Sequence, residues 1–383
     1  MSWFRKAPPP QFRVTTDDNL SASERATVDG GEAVAACAGY FKFSTRDTEL
    51  FWAKAYKGES LVAIAPVVRL RKRKATDLLR QPLRKWLGLL FGPLANKTTL
   101  LLDTAFMAYD ACSPFLTAPG VDRAAVKREI SDFLKKQKKV DTIWISEPPD
   151  EAAWATERNN AQNYSQFHTL PMVQVVLEGC ESLEQYLATL SRNSRRNFKR
   201  EREVFAKAGG VIDVWEGVIG ENPKLHAQVL ACLEASAAHS KFTVPYNDVL
   251  TAPAAIAALR QIVLTARLGD KVIGFMSCLQ DGDRLMQCHG GLNYAESHEI
   301  KAYHNLISAA IELTIGMGCK MLTLGPMTNE TKRRAGGKFR PIVSSMWNKL
   351  PGDRLVARKL FVKNFEVYRG ALGEVQPEDQ DDD

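Results

Sequence analysis

The chain has 383 residues, 45% hydrophobic and 25% charged, with 17 Phe and 7 Trp. That composition excludes disorder as the main state and, at roughly 100–200 residues per domain, calls for two domains. The net charge of +7 hides opposed stretches: Arg69 to Lys85 holds eight bases against one acid, and six acids follow Gly373, so residues 1–373 carry 51 bases and 38 acids, a net +13. A body this basic points to acidic partners: phosphate-bearing cosubstrates, anionic headgroups, an acidic carrier protein or RNA.

The first thirty residues are Pro-rich and then polar, and read as partly disordered; no apolar signal-type region begins the chain. A first domain over residues 31–170 opens with an apolar strand, SLVAIAPVVRL, followed by a basic insertion at about 70–100. Within it, Trp86 to Asn96 is about half the ~20 residues of a spanning helix and contains Pro93. Leu79, Leu83, Trp86, Leu87 and Leu90 recur at helical spacing beside Arg80, Arg84 and Lys85. Such a face suits a helix lying on an anionic membrane surface, and equally a solvated basic loop leading into a strand. A second extended stretch near DACSPFLTAP, a helix from Val121 to Lys138 and a returning strand, DTIWISEPP, complete this half.

The second domain, residues 171–370, starts with one helix, Ser182–Ala208, ended by Gly209 and Gly210. Arg192, Arg195, Arg196, Lys199 and Arg200 form a cationic stripe along it, read either as a solvated face or as a grip on phosphate. Three strands joined by turns at Gly269–Asp270 and Asp281–Asp283 follow, then a helix Ala302–Gly318, a short strand KMLTLGP, and an acidic tail at 371–383. Both halves thus run strand, strand, helix, strand, which predicts an α/β (α+β) fold of two tandem units, each a mixed twisted sheet flanked by helices. Seven scattered cysteines with no C-x-x-C pair read as reduced core residues of a cytosolic protein, and no metal constellation is visible.

The segments ESLEQYLATLSRNSRRNFKRE, LGDKVIGFMSCLQDGDRLMQCHGGLN and AYHNLISAAIELTIGMGCKMLTLGP, followed by TNETKRRAGG, carry a resemblance. Over residues 50–350 the chain resembles the two-domain acyltransferases of the GNAT superfamily, in the branch named for a cellulose-biosynthesis protein and related to the FemAB peptidoglycan-bridge enzymes. The resemblance implies two GNAT-like domains and transfer of an acyl group from a thioester, acyl-CoA or acyl carrier protein, to an amine; the FemAB branch uses aminoacyl-tRNA instead. One departure stands out. Simpler members hold the CoA pyrophosphate in a Gly-rich turn at a helix N-terminus, and here no glycine lies between Asn293 and Gly316. Side chains are then left to bind the donor: Arg195, Arg196, Lys199, Tyr303 and His304.

Amide formation needs a proton acceptor for the amine and a donor for the oxyanion. Strand alternation puts Gln287 and His289 on one side and Met286 and Cys288 on the other. His289 is the first candidate for the base, and Gly290 and Gly291 offer backbone N–H groups to the thioester carbonyl. Each has a plain alternative as a core histidine and as close strand packing. Glu330 and Lys332 precede a basic loop, and the resemblance places Lys332 near the acyl oxygen. The expected activity is therefore an N-acyltransferase with no permanently bound cofactor, its acceptor a long-chain or lipid amine such as a sphingoid base, as in bacterial ceramide synthases. The basic segment Arg69–Leu90 would meet the inner face of the cytoplasmic membrane. The alternatives are an aminoacyl-tRNA-dependent peptidyltransferase, the one case in which nucleic acid would be a partner, and a non-enzymatic membrane-binding protein.

Overall fold

A computed structural model describes residues 11–28, 30–31, 34–35, 48–70, 98–103, 113–148, 151, 164–217, 219–239, 259–325 and 329–349. The basic insertion from Arg71 and the acidic tail lie outside the described residues, and so does most of the segment read as membrane-facing.

The first half is built on the long hairpin of β2 (Thr48–Lys57) and β3 (Ser60–Leu70), turned at Gly58, whose φ of 61° suits the residue without a side chain. β4 (Thr99–Asp103) pairs antiparallel with β3, and the two-residue β5 (Leu116–Thr117) caps it. β4 is the third strand of this half; the stretch near DACSPFLTAP contributes only β5. Helix α2 (Arg123–Lys135) starts where the Asp122 carboxylate accepts from the Ala125 N–H, and β6 (Thr142–Glu147) returns parallel to β4. β1 (Arg13–Asp17), inside the polar N-terminal stretch, pairs with β2 along five residues. A short helix, α1 (Ala22–Arg25), follows it behind a capping box at Ser21. Both are clasped to the sheet by the buried Lys54, whose ammonium meets Asp17 at 3.2 Å and Glu24 at 2.7 Å.

The second half repeats the plan. β7 (Tyr164–Val176) leads to α3 (Leu183–Ala188) and α4 (Arg192–Lys207), two helices where sequence pattern suggested one. The break is at Ser191, whose hydroxyl accepts from the Ser194 N–H and starts a new helix, while Ser182 caps the first. Edge strand β8 (Gly210–Glu216), helix α5 (Pro223–His239), and the antiparallel run β9 (Arg260–Leu268), β10 (Lys271–Asp281) and β11 (Arg284–Leu292) follow. A turn of helix, α6 (Tyr294–Ser297), precedes α7 (Ala302–Gly316), which ends at Gly318 with φ 68°; β12 (Met321–Leu324) then lies parallel to β11. Helix α8 (Asn329–Arg334) occupies part of the stretch expected as a basic loop, and β13 (Lys338–Asn348) closes the described chain.

One mixed sheet of thirteen described strands results, in the order β1-β2-β3-β4-β6-β13-β7-β12-β11-β10-β9-β8, with β5 on β3. β13 makes it continuous: it belongs in sequence to the second half but pairs with β6 of the first and β7 of the second. Its register slips between Arg340 and Ile342, where Pro341 has no N–H to give and Pro171 lies on the partner strand. Cores fill both faces. α2 packs its Ile130 with Phe115 and Ile143, whereas α4 and α7 cover Leu264, Met276 and Leu322. On the opposite face, the core of α5 runs without interruption from Val263 and Phe275 to Trp52 and Trp144, joining the two halves. Full burial of a side chain such as Phe275 is worth about 2–3 kcal/mol, so this shared core is a large part of what holds the halves together.

Candidate active site

β4 and β6 stay paired from Thr99–Thr142 to Asp103–Ser146, the whole described length of β4. β11 and β12 pair only from Arg284–Met321 to Met286–Thr323; beyond that β11 runs on for six residues beside β10 alone. β12 ends at Leu324, so among the described residues the edge of β11 from Gln287 to Leu292 is open, a cleft or splay in the sheet beside the end of β12.

The backbone of β11 is arranged for this opening. Ser277 pairs with His289 and Cys278 with Gln287, so Cys288 is an extra residue, a β-bulge. The bulge changes the phase of the strand. Gln287 lies opposite Cys278 on the α4/α7 face, while His289 lies opposite Ser277, which pairs with Val263 on the α5 face. Strict alternation had put Gln287 and His289 on one side, and the extra residue is why they part. Leu292 gives its N–H to the Ser236 hydroxyl of α5 at 2.7 Å, and that hydroxyl reaches the Leu292 carbonyl at 3.3 Å, so the backbone of Leu292 is turned away from β10. Asn293 N–H then reaches back to the Ile273 carbonyl on β10. By alternation, the N–H of Gly290 points to the open edge. At Gly291 a Cβ would fall 2.6 Å from the Phe275 ring and 2.8 Å from the Cys232 backbone, so glycine is needed there for packing, as its plain reading held.

Lys332 sits across the cleft. Its helix, α8, packs on β7, and the side chain is 1% exposed, with the ammonium nitrogen donating to the carbonyl of Gly325, the residue after β12. No carboxylate faces it among the described residues, and burial pulls its pKa down from 10.5 to about 7. Tyr186 of α3 fixes the end of this helix by donating to the Ala335 carbonyl at 2.5 Å, tight against Gly336, which has φ 89°. Glu330 lies in α8, but its side chain is outside the described residues. His289 is partly exposed as a residue, yet desolvation takes its imidazole down to about 4. That value leaves it neutral at pH 7 and a weak base.

A shallow second recess, open to solvent, lies on the α4/α7 face between Asn197 and Glu201 of α4, His304 of α7 and Thr331 and Arg334 of α8. His304 Nε2 is 3.5 Å from a Glu201 oxygen. Desolvation, and then the charges of Lys301, Arg334 and His298, lower the His304 pKa to about 4. The contact is therefore a neutral imidazole beside a carboxylate whose own pKa burial raises. Lys301 caps α7 in the left-handed region (φ 62°) without a side-chain bond, so a Cβ stands where a glycine-rich turn would be bare. Asn305 in the first turn donates to the Lys301 and Glu201 carbonyls, tying α7 to α4.

The sequence-derived residues thus divide. Gly290, Gly291, His289 and Lys332 border the splay, the last two from opposite faces. Tyr303 is half-buried on the α7 side and His304 lines the recess. Arg195, Arg196 and Lys199 are exposed on the outer face of α4, away from the Asn197–Glu201 side that lines the recess; Arg195 bonds back to the Ala188 carbonyl at 3.2 Å. Glu201 and Ser236 emerge from the structure. Neither carries a signal in a single sequence, because each depends on a partner about 56 to 103 positions away. Five described cysteines are free thiols, no group of metal-ligating side chains occurs among the described residues, and no described helix is long and apolar enough to cross a membrane.

No family model matches the chain, and no curated protein matches it. Solved structures do. FemX aligns over 87% of this chain and 97% of its own with a TM-score of 0.54 at 6% identity. The C-terminal domain of a protein assigned as a lysylphosphatidylglycerol synthetase from Agrobacterium fabrum aligns over 90% and 95%, with TM-score 0.52 and 11% identity. A tandem GNAT protein from the clavulanic acid biosynthesis pathway aligns over 88% and 99%, with TM-score 0.51 and 12% identity. The likeness is one of fold, and the chain has the two-domain GNAT fold.

Proposed function

We propose that the protein is an N-acyltransferase, moving an acyl group from an acyl thioester, acyl-CoA or an acyl carrier protein, to an amine. The observation that carries this reading is the splay itself: an opening in the sheet, edged on β11 by the Gly290 N–H and on the other side by the buried side-chain nitrogen of Lys332. An acyl carbonyl held in it would receive a backbone donor where negative charge develops. For the acceptor, the likeness to a domain assigned to lysylphosphatidylglycerol synthesis favours an amphiphile, and a long-chain amine such as a sphingoid base is the concrete choice, met by a protein working at the inner face of the cytoplasmic membrane.

A second reading rests on one observation. The first turn of α7, with Lys301 in place of glycine and α4 tied across it, is not shaped for close backbone approach to a pyrophosphate. That favours a donor held by exposed cations such as Arg195, Arg196 and Lys199, and an aminoacyl-tRNA is such a donor. One experiment separates the two: purified protein with a panel of acyl-CoAs, acyl carrier protein thioesters and charged tRNAs, each with amines including sphinganine, read by product mass. Amide from a thioester supports the first reading. Transfer from charged tRNA alone overturns it in favour of the second, and no product from any donor overturns both.

A further inference from the structure

Resting on the acyl-transfer reading, we infer that Lys332 stands in the resting protein as a neutral amine and is the group that takes the proton of the attacking acceptor.

The geometry confines the choice. A proton acceptor must border the cleft and keep a lone pair available. Among the described residues, the imidazole of His289 and the amine of Lys332 flank the splay. Lys332 is the more deeply enclosed: the side chain is 1% exposed and its nitrogen lies on the Gly325 carbonyl at the end of β12. The charged groups on its own helix, Arg333 and Arg334, are exposed and positive, and β7, β12 and α3 bring no described acid to it. No described group there compensates an ammonium, so the proton is the part that leaves. A neutral amine gives one N–H to Gly325 and turns its lone pair to the cleft. His289, on the α5 face, titrates too low to hold a proton near neutral pH.

The step balances without a further reactant. The neutral acceptor amine attacks the thioester carbonyl; a C–N bond forms and the carbonyl electron pair moves to oxygen, facing the Gly290 N–H. The new ammonium passes its proton to the Lys332 nitrogen. Collapse restores the carbonyl and breaks the C–S bond, and the leaving thiolate takes the proton from the Lys332 ammonium, giving amide, thiol and a neutral lysine.

The test has two arms on the full chain. In the first, protein labelled with 13C at lysine Cε is titrated by NMR, and Lys332 is assigned by the signal lost in Lys332→Arg. A midpoint near pH 7, with the exposed lysines near their usual value of about 10, is expected; a Lys332 that stays protonated from pH 6 to 9 overturns the proposal. In the second, transfer by the donor found above is measured for Lys332→Arg, which keeps a cation but cannot accept a proton. A loss in kcat of about 100-fold or more with KM nearly unchanged is expected, together with loss of the wild-type rise in kcat through pH 7. A Lys332→Arg variant within threefold of wild type would mean that positive charge alone serves, and the proposal fails while acyl transfer stands. If no donor gives product, the proposal falls with the reading, even where the NMR midpoint is near 7.

Discussion

Replacing Lys332 with methionine, of similar length and no charge, should make the protein more stable, and by an amount that depends on pH. The folded pKa of about 7 lies below the unfolded value of 10.5. Below pH 7 both states are protonated, and the folded state bears the full cost of a buried ammonium, about 4–5 kcal/mol at 1.36 kcal/mol per pH unit of displacement. Between pH 7 and 10.5 the unfolded chain holds a proton that the folded one does not, so wild-type stability rises with pH and the cost shrinks by about 1.4 kcal/mol per unit. Above 10.5 it is gone. Methionine leaves the Gly325 carbonyl without its donor, which takes back about 1 kcal/mol. The variant should therefore exceed wild type by about 3–4 kcal/mol at pH 6.5 and by about 2 at pH 8, and lose its advantage near pH 10. Urea unfolding of both proteins at half-unit steps from pH 6 to 10, followed by tryptophan fluorescence, measures this. A difference that is flat with pH, or a less stable variant at pH 6.5, would refute the reasoning.

Other substitutions probe the frame around the cleft. Gly291→Ala puts a methyl within 3 Å of Phe275 and the Cys232 backbone and should cost about 2–3 kcal/mol in urea unfolding. Tyr186→Phe removes one hydrogen bond to Ala335 and should cost only about 1 kcal/mol, yet shift the Lys332 NMR signal, since the helix that carries it loses its clasp. Glu147→Gln leaves the Lys127 ammonium, 3% exposed and 2.6 Å from that carboxylate, short of its nearest counter-charge; the expected loss is about 3 kcal/mol with transfer activity unchanged per folded molecule.

Periodicity was enough to read the second half as strand, strand, strand, helix, strand, because each element there is long, apolar on schedule and bounded by Gly269, Gly282 and Gly318. It was not enough for β4, five residues beside an insertion, or for β13, whose role is to pair across the two halves and whose Pro341 argues locally against a strand. The candidate site was legible by residue type and not by geometry. Lys332, His289 and the two glycines were all visible as chemistry. The bulge at Cys288 was not, and one extra residue was sufficient to carry His289 to the other face of the sheet from Gln287. The cationic stripe shows the opposite error: Arg195, Arg196 and Lys199 make a clear pattern, but the side of α4 that meets His304 and Arg334 is the adjoining one, with Asn197 and Glu201.

The repeat itself says which half holds the chemistry. In both halves a buried lysine nitrogen lies at the end of the returning parallel strand. In the first it belongs to Lys127, reaching Glu147 at 2.6 Å and Glu151 at 3.3 Å, with Ser113 donating to Glu147 at 2.7 Å and Arg123 to Glu151 at 2.5 Å. Charge and hydrogen bonds are matched there. In the second half, among the described residues, the strand end offers the Gly325 carbonyl and no carboxylate. A buried lysine without a counter-charge destabilises a fold, because removing the charge would be favourable by several kcal/mol. The first half shows that the same architecture can hold a buried lysine with its charge balanced. Lys332, with no carboxylate beside it among the described residues, is therefore a cost borne at one place, and it is the place where an amine with an available lone pair would have work to do.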